Sequence, residues 1–204
     1  MRFSIILLSS ITSAFATQTY AKNWDCKQED VQPIVSGSAR QTLSRVLLGQ
    51  ATEADVDRLT RQAESSPNNE RVTLLGALAL LQSKLGYEDQ AIEIYRRVFD
   101  MEDATTAERS RARSQLASLL YKQDKVQEVV ALYERSDRPY CGELSGYDAF
   151  ILASAYNAAR NYARAEEIYK RQVAVLQKSD KRVRMNTDWL LLGVFIAYNQ
   201  KSME

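Results

Sequence analysis

A regular spacing of small residues constrains this chain more than any other feature of its sequence. A leucine followed by a small residue recurs every 36 to 40 residues, at Leu78-Ala79, Leu116-Ala117, Leu152-Ala153 and Leu192-Gly193. In the first three cases, Ala or Val follows twelve positions later and Tyr four positions after that, in the sets Ala79/Ala91/Tyr95, Ala117/Val129/Tyr133 and Ala153/Ala165/Tyr169. A period of this length indicates stacked repeating units.

Each unit is predicted to be a pair of antiparallel helices. The small residue on the first helix lets the second helix approach closely, and residues four apart share one face of a helix. Turn residues separate the two helices at Gly86-Tyr87, Asp124-Lys125 and Arg160-Asn161. Capping-box spacing marks helix starts at Thr52/Asp55, Thr105/Glu108 and Ser145/Asp148. A fainter unit is expected upstream, at Leu43-Ser44 with Val56 and Thr60. The alternative is a helical bundle with coincidental spacing.

These residues resemble the tetratricopeptide repeat (TPR) family, whose motif places a small residue, an alanine and an aromatic residue at these offsets. The resemblance covers residues 37–204, and the middle unit departs from it with Arg113 at a bulky position and Val129 in place of alanine. It implies an all-α, right-handed α-solenoid of about four helix-turn-helix units. The motif at Trp189-x2-Leu192-Gly193 would end the array on a half repeat.

The resemblance also implies a groove, lined by the first helix of each unit, that binds a protein or peptide partner. Carrying the family's groove positions onto this sequence gives Lys84, Arg111, Ser114, Ser118, Tyr121, Lys122, Tyr147, Phe150, Ser154 and Asn157. The mixture of aromatic, small polar and cationic side chains suits an extended or helical peptide. The alternative for Tyr147 and Phe150 is that they simply pack against the neighbouring helix.

The first 21 residues are predicted to be a secretory signal peptide. Arg2 precedes a short apolar stretch that ends in small residues, with cleavage sites after Ala16 or, as we prefer, after Ala21. An uncleaved membrane anchor is the alternative. Cleavage after Ala21 leaves an N-terminal segment, residues 22–36, ahead of the repeat domain, residues 37–204. We therefore expect an exported chain, in a bacterial periplasm, with no integral membrane segment once the signal peptide is removed.

The sequence has two cysteines, Cys26 and Cys141, which lie too far apart for a CxxC motif. In an oxidising compartment an even pair of cysteines is typical of a disulfide. Two unpaired thiols are the alternative.

The C-terminal segment is predicted to be an interface. Its helix is apolar on nearly all sides, with Trp189, Leu190, Leu191, Val194, Phe195 and Tyr198 as candidate contact residues. A homodimer or a partner would bury this surface; alternatively, the helix packs against the preceding unit. Residues 186–192 also resemble the last repeat of periplasmic TPR proteins associated with TonB–ExbB–ExbD systems, which implies a link to such an energising system.

Composition argues against several other functions. The chain contains no histidine, and it lacks phosphate-binding glycine loops, so neither catalysis nor a metal or other cofactor is expected. The net charge of +1 argues against binding of nucleic acid. The sequence thus favours a non-catalytic exported scaffold that binds a partner in the cell envelope. The alternatives are a self-assembling structural subunit that dimerises through the C-terminal helix, and a cell-wall-binding factor.

Overall fold

The computed structural model describes residues 37–135 and 144–178 of the chain, and all the regular structure in this part is helical. In these two ranges, eight helices follow one another as four hairpins: α1 (Gly37–Leu47) and α2 (Glu53–Ser65), α3 (Asn68–Lys84) and α4 (Glu88–Asp100), α5 (Thr106–Lys122) and α6 (Val126–Glu134), and α7 (Gly146–Ala158) and α8 (Tyr162–Lys178). None of the helices in the described ranges is long and apolar enough to cross a membrane.

The same turn closes the first helix of every hairpin. One residue in the left-handed conformation ends the helix, and this residue is Gly49, Gly86, Asp124 or Arg160. At Gly86, where φ is 90°, the backbone N–H donates to the carbonyl of Ser83 at 3.2 Å, and the next N–H donates to the carbonyl of Gln82 at 2.9 Å. These bonds satisfy carbonyls that a helix end leaves without partners. The predicted turns are therefore confirmed.

Side-chain caps define the helix starts that the sequence indicated. The Thr105 hydroxyl accepts a hydrogen bond from the Glu108 backbone N–H at 3.2 Å, and the Thr105 N–H donates to the Glu108 carboxylate at 3.0 Å. The Ser145 hydroxyl accepts from the Asp148 N–H at 3.1 Å. Thr52 and Asp55 also form a capping box at the start of α2. All three predicted caps are confirmed.

The spaced small residues lie in the interior of the helical stack. Ala79, Ala117 and Ala153 on the first helices are completely buried, and so are Ala91, Val129 and Ala165 on the second helices. The tyrosines four positions later, Tyr95, Tyr133 and Tyr169, are buried on the same side. Burial raises the pKa of Tyr95 above its ordinary value, because the ionised form would lose its hydration.

Successive hairpins stack in series along the chain. Each first helix packs against the first helix of the next hairpin, so that α1 contacts α3, α3 contacts α5, and α5 contacts α7. Among the described helices, no comparable packing joins consecutive second helices. Because the first helices lie closer together, they line the inner side of the stack. This arrangement is an α-solenoid of helix-turn-helix units, and it confirms the predicted fold class and the four units.

The first hairpin follows a different register from the one predicted. Ser44 is exposed and Val56 and Thr60 are only half-buried, whereas the buried residues are Thr42, Val46, Asp55, Leu59 and Ala63. The physical reason is the length of the turn: three residues separate Gly49 from α2, and a single residue follows the left-handed position in the other hairpins. The spacing found in hairpins two to four therefore does not apply to α1 and α2. The predicted terminal half repeat lies outside the described residues.

Two glycines provide a matched test of the repeated turn. A Cβ added at Gly86 or at Gly76, in the interior of α3, would meet no atom within 4 Å, so only backbone conformation distinguishes the two sites. We expect Gly86→Ala to lower the free energy of unfolding by about 1 kcal/mol, because Gly86 is left-handed. Gly76→Ala should raise it by about 0.5–1 kcal/mol. Urea denaturation measures both, and equal effects would contradict this assignment of the turn.

Candidate partner-binding face

Nine of the ten residues predicted to line a groove lie on two neighbouring first helices, α5 and α7, and the tenth, Lys84, is the last residue of α3. Arg111, Ser114, Ser118 and Tyr121 recur at intervals of three and four residues along α5, and Tyr147, Phe150, Ser154 and Asn157 do so along α7. Residues at these intervals share one helix face. We call the exposed side of α5 and α7 that carries these eight residues the inner face.

Two aromatic rings are exposed on the inner face. Tyr147 is 51% exposed and Phe150 is 42% exposed, although both lie in the first turns of a helix whose other large apolar residues are buried. The other exposed large apolar residues in the described part of the chain are Leu47, Leu48 and Tyr87, which lie in or beside the turns of the first two hairpins. The inner face therefore carries an aromatic patch that is separate from the core.

A hydrogen bond fixes the position of one of these rings. The Tyr147 hydroxyl donates to the Ser118 Oγ at 2.6 Å, so the side chain reaches from α7 to α5. This bond spans the boundary between the third and fourth hairpins. It holds the ring in one orientation before any partner binds, which reduces the entropy lost on binding.

A buried carboxylate anchors α7 beneath the aromatic patch. Asp148 is 3% exposed, and its Oδ1 accepts hydrogen bonds from Ser114 and from Tyr133, each at 2.6 Å. Its Oδ2 accepts from the Ser145 hydroxyl at 2.6 Å. Asp148 thus connects the start of α7 to both helices of the preceding hairpin. The sequence indicated Asp148 only as half of a helix cap, so its role in joining hairpins was missed.

Arg113 fills the position where the repeat pattern expects a bulky residue. It is 3% exposed, and its guanidinium carbon lies 4.9 Å from the centre of the Phe99 ring and 5.8 Å from that of Tyr133. A guanidinium at these distances from a ring face is attracted by the π electrons. The departure from the family pattern is therefore accommodated by two aromatic rings of the neighbouring helices α4 and α6.

Both predicted lysines contact the preceding hairpin. The Lys84 ammonium donates to the carbonyl of Val46 at 3.2 Å, at the C-terminal end of α1, where a helix favours a cation. Lys122 forms an ion pair with Glu88 at the start of α4. These side chains lie at the edge of the stack that carries the turns, and the structure uses them to join successive hairpins.

Ser154 and Tyr169 connect the inner face to the second helix of the last described hairpin. The Ser154 Oγ lies 3.3 Å from the Tyr169 hydroxyl oxygen. Burial raises the pKa of Tyr169, and the hydrogen bond with Ser154 acts in the opposite direction. Of the remaining predicted residues, Tyr121 and Asn157 are half-buried on α5 and α7, and Arg111 is exposed on α5.

Other predicted sites lie outside the described residues. They are the candidate disulfide of Cys26 with Cys141 and the candidate C-terminal interface of Trp189, Leu190, Leu191, Val194, Phe195 and Tyr198. Within the described ranges, no group of three or more His, Cys, Asp or Glu side chains is arranged to hold a metal ion.

Comparisons with known proteins support the TPR assignment. Residues 150–183, which include most of the fourth hairpin, match the family described as Tetratricopeptide repeat. The fold is similar to the crystal structure of a singly substituted form of nearly identical TPR-like repeats of a putative kinesin light chain from Podosopora anserina. The two chains are 19% identical, with a TM-score of 0.59 over 81% of this chain and 85% of that one.

A second structure of the same repeats, without that substitution, gives 19% identity and a TM-score of 0.56 over 81% of this chain and 86% of the other. No curated relative matches the sequence. At this identity the structural similarity concerns the fold: a stack of TPR-like helical hairpins. Such solenoids present extended surfaces that commonly bind other proteins.

Replacement of Asp148 tests the connection between the third and fourth hairpins. Asp148→Ala should lower the free energy of unfolding by about 2–4 kcal/mol, because it removes a helix cap and the buried carboxylate that accepts hydrogen bonds from Ser114 and Tyr133. Asp57→Ala, at an exposed position of α2, is the control and should change it by less than about 0.5 kcal/mol. Urea denaturation measures both variants. Similar small effects would show that Asp148 does not join the hairpins.

Proposed function

We propose that this protein is a non-catalytic scaffold that binds a protein or peptide partner on the inner face of its helical stack. The observation that carries the proposal is the exposed pair of aromatic rings at Tyr147 and Phe150. Aromatic side chains bury large areas at little entropic cost and are over-represented among the residues that dominate binding energy.

The rigidity of the surrounding structure supports this proposal. Asp148 fixes the start of α7 on the preceding hairpin, and Ser118 holds the Tyr147 hydroxyl. A surface that is already in its binding conformation loses less entropy when a partner docks. The TPR-like fold of the described helices gives the same indication, since solenoids of this kind use their concave side for binding.

We further propose that the scaffold acts outside the cytoplasm. The support is the N-terminal pattern of Arg2, a short apolar stretch and small residues before Ala16 and Ala21. The likeness of residues 186–192 to the last repeat of periplasmic TPR proteins suggests a partner in a TonB–ExbB–ExbD energising system. Under this proposal, the bound partner is a component of the cell envelope.

Site-specific photo-crosslinking in intact bacterial cells tests the binding face. A benzophenone amino acid at position 150 should give discrete crosslinked adducts, because this side chain would lie against the partner. The same amino acid at position 47, where Leu47 is 72% exposed at the end of α1 and is therefore not part of the inner face on α5 and α7, is the control and should give none of these adducts. The chain recovered from the periplasm should begin at Lys22.

Identical adducts from positions 47 and 150, or none from position 150, would contradict the proposed binding face. Tyr147→Ala in the chain with the crosslinker at position 150 should reduce the adducts at least about fivefold, since it removes the adjacent aromatic contact. Circular dichroism of the purified variants checks that they remain folded.

A further inference from the structure

The inner face has few polar groups left over for a partner. Ser114 donates to Asp148, and Ser118 accepts from Tyr147. Ser154 and Tyr169 share a hydrogen bond, and Lys122 is paired with Glu88. The structure itself therefore uses most of the polar side chains that sequence reasoning assigned to binding.

Arg111 differs from these residues. It is exposed in the second turn of α5, and it takes part in none of the ion pairs between described residues. Glu108, one helical turn earlier, already accepts hydrogen bonds from the Thr73 and Thr105 hydroxyls. The guanidinium of Arg111 thus presents a positive charge and its hydrogen-bond donors to whatever occupies the face.

The repeat places this charge beside the aromatic patch. Arg111 precedes Ala117 by six residues, as Tyr147 precedes Ala153, so the two occupy equivalent positions on adjacent first helices. Packed helix axes lie about 8–10 Å apart. The hydrogen bond from Tyr147 to Ser118 shows that the faces of α5 and α7 adjoin.

From this arrangement we propose that the inner face recognises a peptide segment in which a large apolar side chain and a carboxylate lie two to four residues apart. The apolar side chain packs on Tyr147 and Phe150, and the carboxylate binds the Arg111 guanidinium. An extended chain advances about 3.3 Å per residue, so this spacing covers the distance between the two helices. The inference rests on the proposed function, because it specifies the occupant of the same face.

Selection from a phage-displayed library of random dodecapeptides against the full chain tests the proposal without assuming a partner. Enriched peptides should combine Asp or Glu with a large aliphatic or aromatic residue at the stated spacing. Phe150→Ala should weaken binding of a selected synthetic peptide at least about tenfold, as for a central aromatic contact. Arg111→Gln should weaken it about three- to fivefold, as for an exposed ion pair.

Two controls and one double-mutant cycle identify the groups that interact. Leu47→Ala and Arg97→Gln alter exposed residues away from the inner face and should leave binding unchanged. When the peptide's acidic residue is replaced by its amide, Arg111→Gln should have no further effect, because the cycle isolates the pairwise contact. This result would support the proposal.

The unfavourable outcomes separate the inference from the function on which it rests. Peptides that bind through Phe150 but show no acidic preference and no dependence on Arg111 would overturn the inference and leave the binding face intact. Peptides whose affinity is insensitive to both Phe150→Ala and Arg111→Gln, or a library without enrichment, would overturn the inference and the proposed binding face together.

Discussion

The close approach of helices at small residues is the constraint on which the rest of this structure depends. Ala79, Ala117 and Ala153 have no exposed surface, and each lies on a first helix that packs against the second helix of its own hairpin. Such contacts leave no space for additional side-chain atoms, because protein interiors are packed as densely as organic crystals. The spacing of these alanines sets where each hairpin lies, and thereby where its exposed side chains meet those of the next.

Polar contacts between hairpins determine the geometry of the inner face. Thr73 donates to Glu108 across the boundary of the second and third hairpins, and Ser114 donates to Asp148 across the next boundary. In both cases a hydroxyl on one first helix binds the capping acid of the following first helix. Each first helix is therefore located by its neighbour, which sets how α7, with Tyr147 and Phe150, lies against α5, with Arg111.

Much of the fold was predictable from the sequence because the same residue spacing occurs in several units, so that a pattern too weak to identify one hairpin is supported by the others. The spacing of Ala79, Ala117 and Ala153 gave the hairpins, and the turn and cap residues gave their ends. The register of the first hairpin was not predictable in this way. The turn after Gly49 is longer than the other turns, and the residue spacing of the other hairpins does not indicate its length.

The candidate site was predictable as a face but not as a set of interactions. Periodicity places Lys122, Ser114 and Ser118 on or beside the inner face, yet only the folded structure shows that their polar groups form contacts between hairpins. The sequence predicted Asp148 as a helix cap but not as a contact between hairpins, because its partner Tyr133 belongs to a different hairpin. The sequence did contain one signal of this contact between hairpins: an acidic capping residue recurs at the start of consecutive first helices, as Glu108 on α5 and as Asp148 on α7.

The most direct test of this account is to measure the free energy of unfolding of two alanine-to-leucine variants on α5. Ala117 is completely buried at a helix contact, and Ala107 is exposed on the same helix. We predict that Ala117→Leu lowers the free energy of unfolding by about 1–3 kcal/mol through overpacking, while Ala107→Leu changes it by less than about 0.5 kcal/mol. An Ala117→Leu variant as stable as Ala107→Leu would contradict the claim that close packing of helices at small residues determines this fold.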